Sequence, residues 1–101
     1  MDVETIALTS IAVDGEELSL IGGYLILNAT YIDDSRQPKG WALDVTVHGS
    51  HTYPDGQDIK LKLRASDGRH LEADGWVYRC EDASTVTTLL LSGIGAISGL
   101  G

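Results

Sequence analysis

Residues 48–58 bring together more side chains suited to chemistry than any other part of the chain. Five of them are candidate site residues: His48, His51, Tyr53, Asp55 and Asp58. Two imidazoles at this spacing suit metal ligation, but a zinc site needs a third ligand and usually a fourth. The remaining histidine is expected at the far end of its own strand. We therefore predict a polar connecting loop without a metal, and keep an enzyme or metal site built on this loop as an alternative.

Three aromatic residues, Trp41, Trp76 and Tyr78, form a second candidate site. Ligand pockets are mostly apolar and often have aromatic walls, so these side chains would suit a small apolar ligand. The chain contains no phenylalanine, however, so the same residues must also supply bulk to the core. Core packing is the favoured interpretation, and a small β-barrel that binds an apolar ligand is the alternative.

Two further motifs do not lead to a catalytic site. Cys80, the single cysteine, has no histidine base beside it in the sequence, and we predict a buried structural thiol. Residues 93–98 resemble the start of a dinucleotide-binding motif, but such a motif needs a helix and a second strand after it. Only three residues follow Ser98. The sequence thus predicts no catalytic residue and no cofactor, and it favours a non-enzyme.

The elements around these candidates are strands, and the clearest are the two of a hairpin at residues 57–77. Apolar and basic residues alternate in 59–65, and apolar and mostly acidic residues alternate in 69–75. This period of two is typical of strands with one buried face. A glycine in the left-handed region at position 68 suits a three-residue loop at 66–68.

The loop length sets the register of this hairpin. A three-residue loop aligns four cross-strand pairs: Leu63 with Leu71, Leu61 with Ala73, Lys62 with Glu72, and Lys60 with Asp74. A two-residue loop would bury acids opposite leucines. That burial costs several times more than the ~0.2–1 kcal/mol that each charged pair contributes, so the three-residue loop is favoured. The lysines are then expected to face acids within the same sheet, and not a separate binding partner.

Other segments also alternate or contain turn residues. Strands are predicted at 5–13, from Glu17 onward, at 41–47 with its odd-numbered residues inward, and at 85–91. Asp14-Gly15 predicts a type I′ turn. The uncharged stretch 18–32 is predicted to form two strands, or one strand bent or bulged at Gly22-Gly23, and a surface loop is expected at 33–40.

A bulge is also predicted at Gly75. It would turn Trp76, Tyr78 and Cys80 toward the core, and Val77 and Arg79 toward solvent. Many short strands separated by glycine-rich turns favour one all-β domain over 1–101, with a glycine-rich C-terminal segment at 92–101. The expected architecture is a small antiparallel β-sandwich or β-barrel of about seven or eight strands with little or no helix.

The net charge of the chain limits the kinds of partner that it can bind. Seven basic residues against fifteen acidic ones give a net charge of −8, which disfavours nucleic-acid binding. The start of the chain has no basic leader, which together with the single cysteine favours the cytoplasm. The uncharged segment 83–101 is diluted by glycine and hydroxyl residues, and we expect a buried strand with a glycine-rich tail, not a membrane span.

The uncharged stretches 18–32 and 83–101 exceed what one sheet face normally buries. Self-association is the usual way to cover such strands. The sequence therefore favours a non-catalytic interaction module whose partner is a protein, either a second copy or another subunit of an assembly.

Overall fold

The computed structural model describes residues 4–27 and 40–100, which fold entirely as strands and turns. The strands are β1 (Glu4–Val13), β2 (Glu16–Leu18), β3 (Leu20–Leu27), β4 (Trp41–His48), β5 (Asp58–Ala65), β6 (His70–Asp82) and β7 (Val86–Ser98). The predicted all-β class and strand number are confirmed. Within these two ranges no helix is present that would be able to cross a bilayer.

Six of the strands close into an antiparallel barrel. Their order around the wall is β1-β3-β4-β7-β6-β5, and β5 pairs with β1 to complete the circle. β2 is an additional short strand that continues the line of β3 along β1. Of the two predicted architectures, the structure is the barrel and not the sandwich. The connection from β4 to β5 joins strands that are not neighbours, so it must cross one end of the barrel.

The β5–β6 hairpin has the predicted register. Its four expected pairs are all present: Leu63 with Leu71, Leu61 with Ala73, Lys62 with Glu72, and Lys60 with Asp74. Gly68 has a φ of 94°, as the three-residue loop requires. Asp14 and Gly15, with φ values of 51° and 87°, form the predicted tight turn between β1 and β2.

The glycine pair at positions 22 and 23 lies beside a bulge, as predicted. The register of β3 against β4 shifts between Leu20 and Gly22, which leaves Ile21 as the extra residue. A Cβ at Gly23 would lie 2.8 Å from the Asp44 carbonyl oxygen, so glycine allows the two strands to approach closely here. Residues 28–32 of the uncharged stretch, and the loop predicted at 33–40 apart from Gly40, lie outside the described residues.

Apolar side chains from the inner face of the wall fill the barrel. In β4, Trp41, Leu43, Val45 and Val47 all point inward, as the alternation predicted, and each is at most 5% exposed. The members of the core from the other strands are Ile6, Leu8, Ile11, Val13, Leu18, Leu25, Ile59, Leu61, Leu63, Ala65, Leu71, Val77, Leu89 and Leu91. The fold is therefore stabilised mainly by burial of aliphatic side chains.

One aromatic ring occupies a space that two glycines leave open. Gly75 of β6 and Gly93 of β7 are direct cross-strand partners on the inner face. A Cβ at Gly93 would overlap the indole of Trp41, and one at Gly75 would lie 3.6 Å from its Cη2 atom. The indole Nε1–H donates a 3.0 Å hydrogen bond to the Gly95 carbonyl oxygen. The two glycines thus leave room for the Trp41 ring beside the wall, where it forms part of the hydrophobic core.

The predicted bulge at Gly75 is wrong. Gly75 stays inward-facing and paired because its missing side chain accommodates Trp41. The next inward residue is Val77, which is 0% exposed and had been expected to face solvent, whereas Trp76 points outward. The bulge lies further along β6, where Tyr78 is the extra residue opposite β7. After it, Cys80 packs against the core as expected.

The glycine-rich C-terminal segment belongs to the barrel wall. A strand had been predicted to end at Leu91, but β7 continues to Ser98. Gly93 makes the close contact with Trp41, and a Cβ at Gly99 would overlap the His70 carbonyl oxygen. Gly93 and Gly99 thus mark places where a ring or the backbone approaches closely, which is a structural reason for glycine at these two positions.

Candidate functional site

The loop with the five candidate residues closes one end of the barrel. It runs from Gly49 to Gln57, within the predicted 48–58, and crosses the ends of β7 and β6. Its first residue donates from N–H to the Thr85 carbonyl at 2.8 Å. At its other end, the N–H of Gly56 donates to the Val77 carbonyl at 2.7 Å, and the Val77 N–H donates to the Gln57 carbonyl at 2.9 Å.

Thr87 of β7 anchors the middle of this loop. Its side chain is 0% exposed, and its hydroxyl donates to the Gly49 carbonyl at 2.8 Å while accepting from the His51 N–H at 3.0 Å. The Cys80 thiol contributes a third contact by donating to the His51 carbonyl oxygen at 3.4 Å. Buried polar groups of the wall thus satisfy the loop backbone, which is what a structural closure requires.

The rings of His51 and His70 are engaged in local contacts. A ring nitrogen of His51 lies 3.0 Å from the His48 carbonyl oxygen within the loop. His70 lies at the opposite end of the β5–β6 hairpin from Asp58, as predicted, and accepts a hydrogen bond from Arg64 at 3.1 Å. Across residues 4–27 and 40–100, no group of three or more histidine, cysteine or acidic side chains is arranged to hold a metal ion.

The acids expected in the loop remain at its rim. Asp55 is exposed in the turn before Gly56, and Asp58 is exposed as the first residue of β5. Neither carboxylate forms a hydrogen bond or ion pair with His48 or His51 in the described part of the chain. The loop is therefore attached to the barrel mainly through its backbone, and the five candidate side chains do not converge on one site.

Tyr53 is the predicted residue that the loop buries most clearly against the barrel. It packs against the hydrophobic core, and this burial raises the pKa of its phenol. The carboxylates of Glu16 and Asp14, together with Cys80, raise that pKa further because nearby negative charge opposes ionisation. Tyr53 thus contributes apolar contact to the core at this end of the barrel.

Sequence reasoning missed Asp82, which fixes the loop from the side of β6. Its Oδ2 accepts from the Ser50 hydroxyl at 2.6 Å and from the Thr52 hydroxyl at 3.5 Å. Its Oδ1 accepts from the Ser84 N–H at 3.0 Å. The contact to Ser84 is a local turn motif that the pair Asp-x-Ser in the predicted turn 81–84 would have indicated. The contacts to the distant loop had no signal in the sequence.

Because these donors favour the ionised carboxylate, the pKa of Asp82 lies below its ordinary value, with the Ser50 hydroxyl as the largest cause. A lowered folded-state pKa adds stability above the unfolded-state pKa, and that stability is lost as pH falls through the folded-state pKa. We expect Ser50→Ala to raise the pKa of Asp82, measured by carboxyl NMR titration. An unchanged titration would contradict the assigned cause.

The three aromatic candidates lie on both sides of the barrel wall. Trp41 is inside and 5% exposed, whereas Trp76 and Tyr78 are partly exposed on the outer side. The rings of Trp76 and Tyr78 meet edge to face with their centroids 6.4 Å apart. The three side chains therefore do not line one shared interior pocket.

Two adjoining grooves lie on the outer wall instead. The first has a volume of about 400 Å³ and is lined by Asp14, Asp58, Ile59, Lys60, Asp74 and Ile94. The second has a volume of about 330 Å³ and is lined by Lys60, Leu61, Lys62, Glu72, Ala73, Asp74 and Ala96. They share Lys60 and Asp74. The regular pairing of β6 with β7 is interrupted here, because the register of the two strands shifts between Glu72 and Asp74.

Comparison with known proteins adds no assignment: no protein-family model, no curated protein and no solved structure matches the chain. What the site does must therefore be inferred from the geometry of the barrel itself.

Proposed function

We propose that the protein is a non-catalytic interaction module that associates with itself or serves as a subunit of a larger protein assembly. The observation that carries this proposal is the division between the filled interior and the exposed outer wall. The inner face is packed with aliphatic residues and Trp41, while the outer wall exposes large apolar side chains at Ile21 (49%) and Tyr24 (54%). Exposed apolar surface of this kind is typical of protein contact sites.

The candidate loop supports the same proposal. The Ser50 hydroxyl and the backbone of His51 take part in closing the barrel, which leaves the outer wall as the surface available for function. The net charge of −8 favours a protein partner over a nucleic acid. The proposal places the module in the cytoplasm, where the unpaired thiol of Cys80 would remain reduced.

Sedimentation velocity over a wide concentration range tests self-association. We expect the weight-average mass to rise above that of one 10.8 kDa chain as concentration increases. Cross-linking at each concentration would identify the smallest oligomer. A single monomeric species up to high micromolar concentration would contradict self-association and leave only the assembly with another subunit.

A further inference from the structure

The outer face of the β5–β6 hairpin carries one basic row and one acidic row side by side. We define the charged hairpin face as Lys60 and Lys62 on β5 with Glu72 and Asp74 on β6. All four are exposed, and the register places each lysine directly opposite an acid. These four residues carry two positive and two negative charges, and the exposed acids Asp14 and Asp58 line the adjoining groove beside Lys60.

The lysines face the acids as the sequence predicted, but within the described strands the two rows form no ion pairs with each other, which revises the expectation that these lysines have no separate partner. In the described residues, no hydrogen bond or ion pair within 4.0 Å joins Lys60 or Lys62 to Glu72 or Asp74, whereas ion pairs form elsewhere, such as Arg69 with Asp67 at 2.8 Å. The second groove lies between the rows and is lined by all four side chains. Both rows are thus free to contact charges on another molecule.

The geometry selects the partner, because a face with parallel rows of opposite sign is complementary to itself. Suppose that two copies stack face to face about a two-fold axis that runs parallel to the strands between β5 and β6. The basic row of each copy then lies over the acidic row of the other. An in-plane axis perpendicular to the strands would instead place like charges over each other, which is unfavourable.

We propose that a second copy of this chain docks on the charged hairpin face in this way, with Lys60 over the partner's Asp74 and Lys62 over the partner's Glu72. The proposal rests on the self-association proposed above and names its surface. Exposed ion pairs contribute little each, so the four symmetric pairs set the orientation of the dimer more than its affinity. Ile94 and Trp76, both partly buried beside the acidic row, supply apolar contact.

Charge reversal tests this dimer in two matched variants. The first is Lys60→Glu with Lys62→Glu, and the second is Glu72→Lys with Asp74→Lys. We expect each variant alone to dissociate at least about tenfold more readily than the natural chain, as measured by sedimentation equilibrium. An equimolar mixture should recover a heterodimer, because every acidic row again lies over a basic one.

The second variant also distinguishes the loss of specific ion pairs from the effect of net charge on association. It changes the net charge from −8 to −4, which by itself should strengthen association of an acidic protein. A control with the same change in net charge, Glu4→Lys with Glu81→Lys, lies outside the face and should associate at least as tightly as the natural chain. The proposal requires Glu72→Lys with Asp74→Lys to lose affinity and the control to lose none.

The remaining outcomes are distinct. If the natural chain dimerises but Glu72→Lys with Asp74→Lys and the control behave alike, the charged hairpin face is excluded and self-association stands. If the natural chain is monomeric, the docking proposal and self-association both fail, and only the assembly with another subunit remains. Because reversal also creates repulsion within the hairpin, the milder Glu72→Gln with Asp74→Asn serves as a second test, with an expected loss of affinity of about threefold. Circular dichroism confirms that each variant is folded.

Discussion

Trp41→Ala is expected to lower the free energy of unfolding by about 3–5 kcal/mol, the usual cost of removing a buried aromatic side chain. The indole fills the space that Gly75 and Gly93 leave open, so its removal opens a cavity beside two wall residues that have no side chain of their own. The substitution also removes the hydrogen bond from Nε1 to the Gly95 carbonyl oxygen. Urea denaturation measures the change.

Trp76→Ala is the matched control for this prediction. The same atoms are removed, but from a ring that lies partly exposed on the outer wall and contacts Tyr78 at its edge. We expect a loss of about 1 kcal/mol, in line with partial burial and one aromatic contact. Equal losses for the two variants would show that Trp41 does not hold the interior position described above.

Thr87→Val should be nearly as damaging, although it preserves the shape of the side chain. The hydroxyl is fully buried and pairs with both the Gly49 carbonyl and the His51 N–H. Valine would leave these two backbone groups without a partner, at a cost of about 1–3 kcal/mol each, so we expect a loss of about 2–6 kcal/mol. Urea denaturation again measures it, and proteolysis should increase within the loop 49–57.

The neighbouring threonine provides the control for this substitution. Thr88 points to the outer side of β7 and is only partly buried, and its hydroxyl has no hydrogen bond to the described residues. Thr88→Val should therefore change stability by less than about 0.5 kcal/mol, as surface substitutions usually do. If Thr87→Val were equally mild, the loop would not depend on the threonine anchor.

The hairpin shows which parts of this fold are encoded locally. Its register followed from the alternation of residues 59–65 and 69–75 and from Gly68, because a two-residue loop would have buried acids. The closed barrel was one of two predicted architectures. Deciding between them required the pairing of β1 with β5, and nothing in the sequence of either strand indicates which distant strand it will pair with.

Gly75 shows why the prediction of a bulge at this position was wrong. A glycine within a strand indicates either a bulge or the close approach of another group, and local sequence does not distinguish them. Here the approaching group is the ring of Trp41, which comes from another part of the chain. The candidate loop was located correctly for its polar composition, but its attachment to Thr87, Cys80 and Asp82 depends on the barrel bringing β6 and β7 beneath it.

The pairing of β1 with β5 also has a kinetic consequence. β5, β6 and β7 are consecutive along the chain and are joined by short turns, so they can form as a local meander. The β1–β5 seam, in contrast, connects the first strand with the second half of the chain, and its loop-closure entropy must be offset before any contact across it is gained. We therefore expect folding in milliseconds to seconds, as in other small proteins dominated by non-local strand pairing, with closure of this seam as the late step.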